Sequence, residues 1–520
     1  MRVIVASSIA LLSLAHAASL NDVPSVKLHV IFKRKSMNLH GHSEFDIYAT
    51  PVVADNGASV LYNSYATFND DDSEFTYTLV DGSAYLTTTD ASDVETVQCL
   101  PSNTLPFDEI LPALNMATSI PSASIGGKSV DCESGKLFKT TFAGSHYAIC
   151  ASGEAGFTAY SSDLDITVEY LDGPVSVSKP ELTDESTSCE VVQEATSLTP
   201  TALALATGSK IPSSTSRKLR EESHMAMAAT ECDTCLTTPR PCIFLHGLGN
   251  PNDVAELQDT PKLTKKKFGD IHGHAPCCSE IKYAVMNTND AGWRNDTLQQ
   301  TFCDHSLSMS STSDVAAGVI DNTIIVTHSM GGLVMAHALA KGKCSFSKTT
   351  SWVALSPPMT GSMASDYLMD ICDDENNNIA AGLFEIVGQC PMPKSRKSTT
   401  YQGGKHTSPS IDAAYVAAQE AYRKNVAAAM CSDSFLGLLS TYQAPCILAG
   451  TAVPHKSKKN DGLVEFQSCL GGLDENLFGN HYLDRFYRPQ LNHADTAFLT
   501  GEGILKDSQK PHKWFECLAL

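Results

Sequence analysis

The run Asn322-Thr-Ile-Ile-Val-Thr-His-Ser-Met-Gly-Gly332 constrains this chain more than any other segment. A short apolar, β-branched stretch, Ile324 to Val326, stops at Ser329, and small residues then lead into a helical pattern from Leu333 to about Lys341. This is the pattern of a nucleophile elbow, in which a sharp strand–turn–helix holds a serine Oγ outward. Strand and helix approach closely there, so the flanking residues must be small, a need that Gly331 and Gly332 meet. Thr327 fills the position where the usual G-x-S-x-G pattern has its first glycine.

Two other regions supply partners. The apolar strand Pro241–Leu245 runs into His246-Gly-Leu-Gly249, where a backbone turn would aim an N–H, that of Leu248, at a developing oxyanion. The N–H of Met330, directly after the serine, is the second candidate donor. Downstream, Pro445–Gly450 reads as an apolar strand, followed by Asn460-Asp-Gly-Leu-Val464 and then by Leu491-Asn-His-Ala-Asp495. Asp461 is read as the acid because it follows that expected strand, and His493 as the base because it precedes a short helical stretch, Asp495 to Leu499. His481 and His455 compete for the base, and Asp474 and Asp484 for the acid.

With nucleophile, acid and base in the order Ser329, Asp461, His493, the region from about Pro239 to the C-terminus resembles an α/β-hydrolase of the lipase and esterase superfamily. The strings H-G-L-G, H-S-M-G-G, N-D-G-L-V and N-H-A-D resemble segments of secreted bacterial-type triacylglycerol lipases, as does Ala354-Leu-Ser-Pro-Pro-Met-Thr-Gly-Ser362. The resemblance implies a doubly wound, mostly parallel α/β sheet with a cap insertion, and cleavage of carboxylic esters, lipid acyl esters foremost, through an acyl-enzyme on Ser329. A thioesterase or lipid deacylase is a near variant, and a non-catalytic binding or effector protein on a hydrolase scaffold is the competing class. In such lipases an aspartate two residues past the histidine helps hold calcium. Asp495 stands there, but no other ligand can be placed beside it, so a solvent-facing or helix-capping carboxylate is preferred. No cofactor is implied.

Compartment follows from the N-terminus and the cysteines. Arg2, the apolar stretch Val3–Leu14 and Ala15-His-Ala17 read as a signal peptide over residues 1–17, too short to span a bilayer. The 17 cysteines fit disulfides in an oxidising space, and their odd number leaves one over. Cys242 and Cys446, inside expected core strands, are the candidate buried thiols, and Cys232 and Cys235 are read as belonging to disulfides rather than to a zinc site. Asn295-Asp-Thr297 is a glycosylation acceptor. A net charge of −21 argues against nucleic acid and against tight docking on anionic membranes, leaving at most transient lipid-surface contact.

The chain reads as several parts. Residues 18–180 show alternating strands, such as Val26–Phe32, Phe75–Val80, His146–Cys150 and Leu164–Tyr170, with one helix near Phe107–Met116. This predicts an antiparallel sheet or open barrel, stapled by Cys99, Cys132 and Cys150, whose role is open between ligand or protein docking and a pro-domain. Residues 181–230, rich in Ser, Thr, Pro and Ala, read as a mobile linker, and Arg217-Lys-Leu-Arg220 within it resembles a processing-protease site. Residues 231–520 form the hydrolase-like part, with a cap at about 363–442. The cap carries an acidic, Asn-rich tip at Asp373–Asn378. It also has an apolar helical face through Ile411, Tyr415, Ala418, Tyr422, Val426 and Met430, with Ser410 as N-cap. That face packs onto the domain or belongs to a lid, with Phe435–Leu439 offered to lipid.

Overall fold

The computed structural model describes residues 19–70, 73–101, 104, 106–133, 135–153, 156–184, 188–211, 224–227, 232, 234–373 and 390–520. The signal peptide, the Arg217–Arg220 cluster and the acidic tip after Asp373 lie outside the described residues. The chain divides into two compact units: Met1–Ile31, Phe45–Thr67 and Asp72–Met227 form the first, and Phe32–Glu44, Phe68–Asp71 and Ala228–Leu520 the second.

The first unit is built on an eleven-stranded sheet. Its neighbours pair antiparallel along the hairpins Ser73–Val80 with Ser83–Thr89 and Lys136–Phe142 with Ser145–Ala151. The alternating segments become strands because one face is apolar: Phe75, Tyr77 and Leu79 are buried on one strand, and Leu164 and Val168 on another. Asp81-Gly82 makes the tight turn between the first pair, both residues at positive φ. Disulfides join Cys99 to Cys189 and Cys132 to Cys150. The expected linker is therefore partly folded. Cys189 anchors it, and Pro200–Thr207 is a helix capped by Thr199, whose side chain accepts from Ala202 N, and closed by Gly208 at positive φ. Ser and Thr looked like linker composition, but alanines and leucines at 202–206 give that helix a buried side.

The second unit is organised by an eight-stranded mixed sheet, its strands numbered here in chain order: β1 (Arg240–Leu245), β2 (Val254–Gln258), β3 (Cys278–Val285), β4 (Ile324–His328), β5 (Ser351–Leu355), β6 (Val426–Met430), β7 (Phe478–Gly479) and β8 (Phe486–Tyr487). The spatial order is β2-β3-β1-β4-β5-β6-β8-β7. Only β2 runs antiparallel to its neighbour. The central strands are apolar on both sides, as parallel strands covered by helices must be. Ile243, Leu245, Ile325, Trp352 and Ala354 enter one core, and Phe244, Ile324, Val326, Val353 and Leu355 the other.

Several expectations need correction. Pro445–Gly450 is not a strand but part of the helix Gln443–Ala452, since a short apolar run fits either period and Pro445 is tolerated in a first turn. The helical face ends early: the helix Pro409–Asn425 buries Tyr415, Ala418 and Tyr422, whereas Val426 and Met430 belong to β6, paired with Trp352 and Leu355. Its N-cap is Ser408, with Pro409 at the first helical position, so Ser410 is the second residue of the helix and not its cap. This helix packs into the main core and β6 lies inside the sheet, so residues 409–430, expected within a cap at 363–442, belong to the main fold. Phe435–Leu439 does not present an apolar surface, for Leu438 is buried in the core and the Phe435 ring fills the space beside Gly450.

The cysteines settle into six further disulfides: 232–517, 235–277, 242–278, 303–344, 372–390 and 431–469. Cys242 is thus no free thiol, because β1 and β3 are neighbours and bring Cys278 beside it. Cys446 is free and buried. Among the described residues, no helix is long and apolar enough to cross a membrane.

The second unit also takes in the early segment Phe32–Glu44. Met37 is fully buried, and Gly501 leaves room for the Ser36 carbonyl, which a Cβ there would meet at 2.4 Å. Arg34 bridges two carboxylates, its Nε donating to Glu502 Oε2 at 3.1 Å and its Nη2 to Glu516 Oε2 at 3.1 Å. Burial pushes the Glu502 carboxyl up, but Lys510 and Arg34 outweigh it and hold it down at about 2.

Candidate active site

Ser329 follows β4 directly and is the N-cap of the helix Met330–Ala340, with φ 55° and ψ −132°, a backbone conformation that non-glycine residues rarely adopt. Small neighbours make it possible. A Cβ on Gly331 would lie 2.8 Å from the carbonyl oxygens of Leu245 and His246, and one on Gly332 would lie 2.6 Å from Pro357 Cβ. Thr327, the departure from the usual pattern, points its hydroxyl to Trp352 Nε1, which donates to it at 2.9 Å, so a buried indole is satisfied where glycine would leave it bare.

The structure brings Ser329, His493 and Asp461 together. His493 Nε2 lies 3.0 Å from Ser329 Oγ, and His493 Nδ1 lies 2.8 Å from Asp461 Oδ2. All three residues are buried. Asp461 sits in the turn Asn460–Glu465, where its Oδ1 accepts from Val464 N at 2.7 Å and Leu463 N at 3.0 Å. Burial pushes its carboxyl up, but the His493 imidazole and those two N–H groups prevail and leave it below the ordinary value. An ionised Asp461 accepts the hydrogen bond from Nδ1–H, which keeps that proton on Nδ1, so Nε2 faces the serine hydroxyl as an acceptor.

The competing residues are engaged elsewhere. His455 bonds Glu465 at 2.9 Å, Asp474 caps the turn Glu475–Leu477, Asp484 accepts from His481 N, and His481 Nε2 lies 3.4 Å from Asp507. Asn295 is the N-cap of the helix Asp296–Ser308, its side chain accepting from Leu298 N.

Of the two expected oxyanion donors, Met330 directly follows the serine in the chain, and Leu248 follows Gly247, which lies against it. Met330 N belongs to the first turn of its helix, whose N–H groups have no intrahelical acceptor. The Gly247–Leu248 turn lies against the nucleophile: a Cβ on Gly247 would be 2.7 Å from Ser329 Cβ and 3.2 Å from its Oγ.

Two further residues support the histidine: His328, to which the sequence gave no role, and Asp495, which it read as a solvent-facing or helix-capping carboxylate. His328 donates from Nε2 to the His493 carbonyl at 3.1 Å, and its ring lies 4.7 Å from that of His493. Burial, then the neighbouring His493, hold His328 well below the usual imidazole value, so it stays neutral. Asp495 is fully buried rather than solvent-facing. It accepts from Thr500 Oγ1 at 2.6 Å, Leu438 N at 2.8 Å and Asn492 N at 3.0 Å, and burial pushes its carboxyl up to about 7. Neither role has a sequence signal, since the contacts from His328 to the His493 carbonyl and from Leu438 N to Asp495 join segments distant along the chain. Among the described residues, no group of three or more His, Cys, Asp or Glu side chains is placed to hold a metal ion.

No family model matches this chain, and no curated protein matches it. A solved structure from the study "Structural and Mechanistic Analysis of Two Prolyl Endopeptidases: Role of Inter-Domain Dynamics in Catalysis and Specificity" aligns at 10% identity over 83% of this chain and 68% of that chain. Its TM-score is 0.19, a likeness too slight to carry an argument about this chain.

Proposed function

We propose that this protein is a secreted serine hydrolase that cleaves carboxylic esters, lipid acyl esters among them, through an acyl-enzyme on Ser329. The observation that carries the reading is the continuous relay from Ser329 Oγ to His493 Nε2 at 3.0 Å and from His493 Nδ1 to Asp461 Oδ2 at 2.8 Å. His493 takes the hydroxyl proton as Ser329 attacks the ester carbonyl, then returns it to the leaving alcohol. Asp461 holds the tautomer and stabilises the imidazolium without taking its proton. Water, activated by the same imidazole, releases the acid from Ser329. Met330 N and Leu248 N receive the developing oxyanion, each contributing about 3–4 kcal/mol to lowering the barrier. Secretion is supported by the eight disulfides, which persist in oxidising compartments. The lipid preference rests on the motif resemblance, and cleavage at Arg217–Arg220 on its basic pattern.

A fluorophosphonate probe tests the chemistry. The full-length protein should label at Ser329 and Ser329→Ala should not; an inert wild type would favour a binding protein on this scaffold. A panel of esters of rising acyl length, run beside peptide amides, then assigns the substrate, and turnover of amides alone would reject the ester reading.

A further inference from the structure

Thr288, three residues past β3, is fully buried, and each of its polar atoms is bonded to the turn Gly247–Asn250. Its hydroxyl donates to the Gly247 carbonyl at 2.7 Å and accepts from Asn250 N at 3.2 Å. Its own N–H donates to Asn250 O at 2.8 Å, and its carbonyl accepts from Gly249 N at 3.0 Å.

The Gly247 carbonyl has a second donor, His246 Nδ1 at 2.8 Å. Because His246 Nε2 accepts from Met286 N at 3.2 Å, the proton of the neutral ring must sit on Nδ1. The next carbonyl, Leu248 O, takes Lys267 Nζ at 3.0 Å.

A carbonyl oxygen has two lone pairs, and both on Gly247 O are occupied. A trans peptide is planar, with its N–H directed opposite to its C=O. Fixing Gly247 O on the Thr288 and His246 side therefore fixes the Leu248 N–H on the other side. The pinned peptide is also the one beside the nucleophile, where a Gly247 Cβ would sit 3.2 Å from Ser329 Oγ.

We infer that Thr288 is a positioning residue, whose hydroxyl holds the Gly247–Leu248 peptide in the orientation that keeps the Leu248 N–H available as an oxyanion donor. This rests on Ser329 being the nucleophile. The effect belongs in kcat, since the charge it serves develops only in the transition state.

The test is a Thr288 series in the full-length protein, with rates divided by fluorophosphonate-titrated sites so that misfolded molecules are not counted. Thr288→Val removes the hydroxyl at nearly constant volume and should lower kcat about 10- to 100-fold, with KM changed less than about 3-fold. Thr288→Ser should return kcat to within about 3-fold of wild type, and Thr288→Cys, a weak donor, should fall between Ser and Val. If the valine variant does not fold, the order Thr, Ser, Cys carries the comparison. A flat kcat per titrated site, or a loss confined to KM, overturns the role of Thr288 while leaving Ser329 as nucleophile. A wild type that never labels overturns both.

Discussion

At the scale of the residue, Asp495 shows how one side chain can hold the loop bearing His493 and titrate near neutrality. Its carboxylate ties the turn bearing His493 to Leu438 N and Thr500, in a site with no exposure to water. Burial raises its titration to about 7, against roughly 4 in an unfolded chain. Between those values the folded protein holds a proton that the unfolded chain has lost, so this group's stabilisation is full at the acid end and is lost as pH rises through 7. Asp495→Asn keeps an oxygen for the backbone donors and an NH2 group for the Thr500 hydroxyl, without the charge. We expect its melting temperature relative to wild type to climb from pH 4 to pH 7 and to level off above. A constant difference across that range, measured by thermal denaturation, would reject the assignment. The sequence offered Asp495 as a solvent-facing or helix-capping carboxylate, whereas the fold buries it completely. Its partner Leu438 meets it only through folding, and no local pattern records that contact.

At the scale of the element, the elbow was legible because its requirements are local. A β-branched strand, a serine and two glycines must be contiguous for strand and helix to meet, and they are: β4 runs into Ser329 and then into the helix from Met330. The tight approach predicts a cost for bulk at Gly247, where a Cβ would sit 2.7 Å from Ser329 Cβ and 3.0 Å from the His328 carbonyl. Gly247→Ala should slow fluorophosphonate labelling by about 100-fold, since displacements of an ångström at a reacting centre cost that much; labelling at the wild-type rate would show that the turn yields. The element boundaries were less legible. Pro445–Gly450 and the end of the helix Pro409–Asn425 were misread for one reason: apolar runs such as Cys446–Leu448 and Val426–Met430 satisfy either period, and sheet neighbours decide between them.

At the scale of the whole molecule, the second unit depends on residues more than 450 positions away from their partners, as in the pair Arg34 and Glu502. The Glu502 side chain is fully buried, and Lys510 remains near it if Arg34 is lost. Arg34→Ala should therefore destabilise the second unit by about 3 kcal/mol, the lower end for breaking a buried pair. Denaturant unfolding measures this, and adding Glu502→Gln should recover part of the loss. Additive losses in that double mutant would show that the two residues do not act as a pair. The disulfides share this long-range character: Cys232 and Cys517 lie 285 residues apart, and Cys242 looked like a buried thiol until the sheet order set Cys278 beside it.

By itself the sequence determined the parts whose physics is short-ranged: the strained serine turn, the glycine turn beside it and the alternating strands of the first unit. Tertiary structure alone decided which carbonyl each buried donor holds, which cysteines pair, where a strand gives way to a helix, and that an arm from residues 32–44 joins the second unit. The division has a physical cause. Backbone conformation and hydrophobic period are written in neighbouring residues, whereas hydrogen-bond partners, buried charges and strand order depend on groups that meet only when distant segments close on one another.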